Sequence, residues 1–135
     1  MANTSRTVLV IDNSPESLCR YQTDLSSEIA FTYEILVKPY LNPALRHYQT
    51  HPPDVILLGL DDRPNAASTL LDQLALDLGS QCPPVVVVGS QQVQVAVQAI
   101  KHGAADYLVR DQLTSEDLGR TLCSAIENAD LKRQL

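Results

Sequence analysis

The sequence predicts an α/β domain built on a parallel β-sheet with helices on both faces. Short runs of aliphatic residues stand well apart in the chain, at Val8–Ile11, Val55–Leu58 and Val85–Val88. Continuous aliphatic runs are typical of strands that are buried on both faces, as in parallel sheets. Segments with helical patterns separate these runs, and a length of 135 residues suits one domain of this kind.

Two further strands are predicted beside the aliphatic runs. Tyr33–Val37 contains a glutamate among apolar residues, which favours a position at the edge of the sheet. Asp106–Val109 is the last predicted strand along the chain. The sheet is therefore expected to contain a central group of apolar strands and a more polar edge.

Helices are predicted between these strands and after the last one. Ser14 followed by Pro15 is a typical helix start, with a capping residue and then a proline at the first helical position. Gly103 suits the left-handed position that ends a helix. Thr114, with Asp117 three residues later, is similar to a capping box. The predicted helices span about 14–27, 43–51, 66–78, 91–102 and 114–135.

The fourth predicted helix carries apolar residues on more than one face. Val93, Val97 and Ile100 recur at helical spacing and are expected to form its buried stripe. Val95 and Ala99 would then give the helix an apolar outer face. Such a face favours a contact surface for another protein.

The last helix is predicted to bury Leu118, Leu122 and Ile126 and to run without a break to Leu135. At 1.5 Å per residue it would be about 30 Å long, which is more than packing on a small sheet requires. We therefore expect residues 1–131 to form the globular domain. Residues 115–135 are expected to form a helix that leads toward a further domain.

The alternation of strands and helices predicts right-handed crossovers and a three-layer sandwich. At this length the leading candidate is a flavodoxin-like (βα)5 fold, with a five-stranded parallel sheet in the order 2-1-3-4-5. Functional residues of such folds lie at the carboxyl ends of the central strands. The residues at these ends are Asp12, Gly59 and Gly89, with Arg110 beside them.

The composition argues against several classes of partner. A net charge of −6 disfavours nucleic acids and anionic membrane surfaces, because both bind to basic patches. No apolar stretch approaches the roughly 20 residues that are needed to cross a bilayer. The three cysteines lack metal-ligand spacing and fit free thiols in a reducing compartment, so we expect a cytoplasmic protein.

Segments at the predicted strand ends resemble the response-regulator receiver domains of the CheY-like family. These are Val8–Glu16, Pro53–Leu58, Pro84–Ser90 and the Gly-Ala-Ala-Asp-Tyr-Leu-Val-Arg run Gly103–Arg110. Each segment is a weak signal alone, but together they keep the family's order and spacing over about 7–131. The resemblance implies two-component signalling, in which a phosphoryl group passes from a phosphohistidine to an aspartate at the end of the third strand.

The resemblance also implies which positions would carry this chemistry. The family uses an acidic pair, an acceptor aspartate, a hydroxyl residue and a lysine, together with Mg²⁺. This sequence places Asp12 and Asn13, Gly59, Gly89 and Arg110 at those positions. Glycine has no side chain, so it cannot accept a phosphoryl group. With one carboxylate left in this set, we expect no magnesium site and no other cofactor.

Tyr107 stands at the position of the family's switch aromatic, which turns inward and changes the neighbouring surface. The resemblance implies an interaction face that includes Val95, Ala99 and Tyr107. We also expect Asp12 to pair directly with Arg110, because the carboxylates that would surround Arg110 in an ordinary receiver are missing.

These observations predict a pseudo-receiver, which is neither phosphorylated nor an enzyme. Its partners would be proteins of a two-component phosphorelay or other domains of the same chain, and a homodimer stays open. The segment 103–110 and the closing helix are similar to modules that begin large sensor histidine kinases, so we expect such a parent chain. Two alternatives remain: a receiver with Asp61 or Asp62 as a relocated acceptor, and a small-molecule sensor that uses the space beside Gly59 and Gly89.

Overall fold

A computed structural model describes residues 5–12, 15–26, 32–38, 53–59, 66–78 and 83–134. The predicted helix at 43–51 lies outside these residues. The strands are β1 (Ser5–Ile11), β2 (Thr32–Lys38), β3 (Val55–Gly59), β4 (Val85–Gly89) and β5 (Asp106–Val109). The described helices are α1 (Pro15–Ser26), α2 (Ala66–Leu78), α3 (Val93–Lys101) and α4 (Ser115–Gln134), with a short 3₁₀ turn at Arg110–Gln112.

The strands form one parallel sheet in the order β2-β1-β3-β4-β5, which confirms the predicted topology. The aliphatic runs lie in the three central strands, β1, β3 and β4. Their side chains are almost completely buried, as expected for strands that are covered on both faces.

Helices pack on both faces of the sheet and enclose two groups of buried side chains. On one face, alternate residues of the central strands pack with Leu71 and Leu74 of α2 and with Ala99 of α3. On the other face, the intervening residues pack with Tyr21 of α1 and with α4. The α4 side chains in this second group include the predicted stripe of Leu118, Leu122 and Ile126.

The ends of α3 and α4 follow the predicted capping chemistry. Gly103, just after α3, has a φ of 105°, the left-handed conformation that glycine adopts without strain. At the start of α4, the Asp117 amide donates to Thr114 Oγ1 over 3.1 Å. Within the described ranges, no helix is both long and apolar enough to pass through a lipid bilayer.

The predicted faces of α3 are wrong. Val93, Val97 and Ile100 were expected inside, yet they are 74%, 43% and 51% exposed, whereas Ala99 is fully buried. The apolar residues of α3 cover a wide arc, with Gln94, Gln98 and Lys101 on the remaining side, so periodicity alone does not fix which part of the arc meets the sheet. In the structure Ala99 meets the core, and Val95 packs beside it.

Strand register brings the candidate residues to one edge of the sheet. Ile11 pairs with Leu58, so Asp12 follows β1 at the level of Gly59, the last residue of β3. Gly89 pairs with Val109, so Arg110 follows β5 just beyond Gly89. The carboxyl ends of β1, β3, β4 and β5 therefore meet at the predicted location of the site.

Candidate functional site

The site at this edge is built around the buried carboxylate of Asp12. Asp12 is 3% exposed and follows directly after β1. The Tyr21 hydroxyl of α1 donates to Asp12 Oδ2 over 3.0 Å. Arg110 Nη1 lies 3.5 Å from the same oxygen, so the predicted ion pair between Asp12 and Arg110 is present. Both interactions offset the cost of removing a carboxylate from water.

The carboxylate of Asp12 fills the space beside Gly59. A Cβ atom built on Gly59 would lie 1.8 Å from Asp12 Oδ2 and 2.4 Å from its Cγ. Real Cβ atoms do not come this close to another heavy atom, so any side chain at position 59 requires Asp12 to move. The space in which a side chain at position 59 would begin is therefore taken up by the carboxylate of Asp12.

Gly89 has an equivalent close neighbour in Tyr107. A Cβ atom built on Gly89 would lie 2.3 Å from Tyr107 Oη. That hydroxyl donates to the backbone carbonyl of Ser90 over 2.7 Å. Among the described glycines, only Gly103 has a positive φ. Gly59 and Gly89 therefore serve the close approach of a neighbouring side chain rather than an unusual backbone conformation.

A second residue of α1 holds the turn that carries Arg110. Arg20 Nη1 donates to the Arg110 carbonyl over 3.3 Å, and Arg20 Nη2 donates to the Leu113 carbonyl. Asp24, one turn further along α1, lies 3.6 Å from Arg20 Nε. Two consecutive residues of α1 thus support the site. Tyr21 donates to Asp12, and Arg20 donates to the backbone carbonyls of Arg110 and Leu113.

The roles of Arg20 and Tyr21 were not predicted. The Arg20–Asp24 spacing is visible in the sequence, but it indicates only a helix-surface ion pair. Tyr21 is buried, and its hydroxyl contact with Asp12 depends on how α1 packs. Neither contact has a local sequence signal, because each joins groups from separate parts of the fold. Tyr21 contacts a side chain after β1, and Arg20 contacts backbone carbonyls after β5.

Three predicted candidates lie outside the described residues: Asn13, Asp61 and Asp62. His102, the residue after α3, lies with its Nδ1 2.7 Å from Asp72 Oδ1 of α2. Among the described residues, Cys19 and Cys123 are not joined in a disulfide, and Cys123 Sγ donates to Glu127 Oε1 over 3.5 Å.

The described residues of the site do not fit a Mg²⁺ ion. They offer a single carboxylate, and one of its oxygens already faces a guanidinium and a tyrosine hydroxyl. Hard divalent cations need several oxygen ligands. Elsewhere in the described part of the chain, no three His, Cys, Asp or Glu side chains come together in a way that could hold a metal.

The predicted interaction face needs a correction. Ala99 is fully buried, and Val95 and Tyr107 are partly buried against the core, so these residues do not form an outer surface. The exposed apolar surface of α3 is instead formed by Val93, Val97 and Ile100, which we call the α3 stripe.

The sequence matches no protein-family model and no curated protein. Solved structures of similar shape include NtrX from Brucella abortus, with 23% identity, a TM-score of 0.81 and coverage of 97% of this chain and 28% of NtrX. A receiver domain from Clostridium thermocellum has 21% identity and a TM-score of 0.76, with 93% and 98% covered. A response regulator from Thermotoga maritima has 14% identity and a TM-score of 0.77, with 91% and 98% covered. The chain therefore has the fold of the response-regulator receiver domains.

Proposed function

We propose that this chain is a pseudo-receiver, a receiver domain that accepts no phosphoryl group and acts through contacts with other proteins or domains in two-component signalling. The fold matches receiver domains, whose role in these systems is to interact with partner proteins and domains. The proposal concerns this segment alone, which we take to have no enzymatic activity of its own.

The observation that carries the proposal is the position of Asp12 relative to Gly59. The carboxylate lies where an acceptor side chain would begin, 1.8 Å from the Cβ position of residue 59. It is also paired with Arg110, so the cation at the site is engaged by an internal carboxylate. In this arrangement Asp12 supplies the negative charge that Arg110 faces, without any added phosphoryl group.

The same contacts argue against the small-molecule sensor. That alternative needed an empty volume beside Gly59 and Gly89. Asp12 lies in the first of these spaces and the Tyr107 hydroxyl in the second. A ligand at either position would have to displace a side chain that already has a hydrogen-bond partner.

Incubation with acetyl phosphate and Mg²⁺, followed by intact-mass spectrometry, tests the proposal. We expect no gain of a phosphoryl group under conditions in which a phosphorylatable receiver domain run in parallel is modified. A variant with both Asp61→Asn and Asp62→Asn is the matched comparison. A gain in the natural chain that disappears in this variant would establish the relocated acceptor in place of the pseudo-receiver.

We further propose a cytoplasmic location, protein partners of a phosphorelay and a parent chain that is a sensor histidine kinase. Cys19 and Cys123 are reduced cysteines, which favours a reducing compartment. The net charge of −6 disfavours nucleic-acid partners. Reading the coding sequence beyond Leu135 tests the parent chain, because a kinase core there supports the proposal and a stop codon contradicts it. Whether the chain forms a homodimer is measured by its molecular mass in sedimentation equilibrium.

A further inference from the structure

We propose that the domain binds a small organic anion with an apolar body in a cavity at the end of the sheet opposite Asp12 and Gly59. The cavity lies beside the starts of β4 and β5 and has a volume of about 560 Å³. Pockets that hold small molecules usually enclose roughly 300–1,000 Å³. The proposal goes beyond the proposed function, because it involves no residue of the acceptor position.

Two helices form the long walls of this cavity. The α2 wall is one helical face: Leu71, Leu74 and Ala75. The α4 wall is also one face, with residues at one-turn spacing: Ala125, Asn128, Ala129 and Lys132. Because α2 and α4 pack on opposite faces of the sheet, a cavity between them lies at the end of the strands rather than on either face.

The bottom of the cavity is apolar and is lined by small side chains. Leu74 and Val85 are buried there as parts of the core. Five of the lining residues are alanines: Ala75, Ala104, Ala105, Ala125 and Ala129. A methyl group cannot reach across the space between the helices, whereas protein interiors usually leave few voids larger than a water molecule. The walls therefore leave room for an aromatic ring or a short aliphatic chain.

The rim of the cavity favours a negatively charged group on the ligand. The chain has 16 acidic residues, yet no Asp or Glu is among the described residues that line the cavity. Lys132 and Asn128 are exposed at the rim and supply an ammonium and an amide donor. His102 also lines the cavity, but Asp72 lies 2.7 Å from its Nδ1 and balances any charge on the ring. Lys132 is therefore the cation that selects an anion.

Two fluorescent probes with the same ring system test this selection. Anilinonaphthalene sulfonate carries a negative charge, and phenylnaphthylamine lacks it. We expect both probes to bind saturably to the whole 135-residue chain, with the sulfonate bound about two- to fivefold more tightly, the effect of one exposed ion pair. Lys132→Met should remove this difference. Arg120→Met, which removes an exposed cation elsewhere on α4, should preserve it.

Filling the cavity tests where the probes bind. Ala129→Phe places a ring in the cavity and should weaken the binding of both probes by about tenfold or more, because the ring and the probe compete for one volume. Ser124→Phe adds the same ring at an exposed position of α4 and should leave binding unchanged. Binding that is equally strong in the Ala129→Phe variant and the natural chain overturns the proposal.

Amide NMR of the natural chain decides the location even if Ala129→Phe does not fold. Saturable shifts with the sulfonate probe should centre on residues 102–105 and 125–132. Shifts that centre on the α3 stripe, no saturable binding, or equal affinity for the two probes overturns the proposal. The phosphorylation test is separate, because a phosphoryl gain would overturn the pseudo-receiver and leave the cavity at the other end of the strands unchanged.

Discussion

Replacing Gly59 with alanine is expected to destabilise the domain, although alanine is usually the better residue within a strand. The added Cβ atom would lie 1.8 Å from Asp12 Oδ2, 2.4 Å from Cγ and 3.0 Å from Cβ. Asp12 is almost completely buried and is held by Tyr21 and Arg110. The carboxylate must therefore leave its partners, or the strands must separate.

The size of the destabilisation by Gly59→Ala follows from these contacts. Overpacking a buried site costs about 1–3 kcal/mol. Weakening the hydrogen bond between Tyr21 and the carboxylate of Asp12 adds about 1.5–3 kcal/mol. The lower chain entropy of alanine returns about 0.5–1 kcal/mol. Together these terms predict that the free energy of unfolding falls by about 2–5 kcal/mol for Gly59→Ala.

Urea unfolding measures this change. With a slope of about 2 kcal/mol per molar urea, the midpoint should fall by about 1–2.5 M while the slope stays constant. Asp12→Ala provides the matched background, because it removes the carboxylate and leaves only a Cβ contact of 3.0 Å. When Asp12→Ala is also present, Gly59→Ala should lower the free energy of unfolding by much less. If Gly59→Ala alone is as stable toward urea as the unaltered chain, Asp12 does not fill the space beside residue 59 as described.

Three further outcomes are expected. Tyr21→Phe should lower the free energy of unfolding by about 1.5–3 kcal/mol, because it removes the buried hydrogen bond to Asp12; an unchanged urea midpoint would contradict this role. Arg20→Met should raise amide exchange in residues 110–113, whereas Arg120→Met on the exposed face of α4 should not; equal behaviour of the two variants would dismiss a positioning role for Arg20. Gly59→Asp alone should still gain no phosphoryl group from acetyl phosphate, because the new side chain can enter only by displacing Asp12 from Tyr21 and Arg110; a gain in intact mass would show that the site reopens easily.

The sheet could be predicted because its signal is local and redundant. Three runs are continuously aliphatic, as in strands that are buried on both faces: Val8–Ile11, Val55–Leu58 and Val85–Val88. Only a few sheet topologies accommodate such strands. The convergence of Asp12 and Arg110 follows from the same reasoning, because the carboxyl ends of parallel strands meet at one edge.

The features that could not be predicted depend on packing between elements. The buried face of α3 was placed wrongly because its apolar residues cover a wide arc, and contacts with the sheet decide which part of that arc is buried. The glycines at 59 and 89 were interpreted as missing functional groups that leave space. The structure shows instead that Asp12 and Tyr107 lie in that space.

The central claim is that the acceptor position is filled and closed to phosphoryl chemistry. Beryllofluoride with Mg²⁺ tests it most directly, because this mimic reports whether the site can form an acyl-phosphate-like adduct without requiring the correct phosphodonor. We expect amide NMR spectra of the chain to be the same with Mg²⁺ alone and with Mg²⁺ plus beryllofluoride. Saturable shifts that require both components and centre on the end of β3 would contradict the claim.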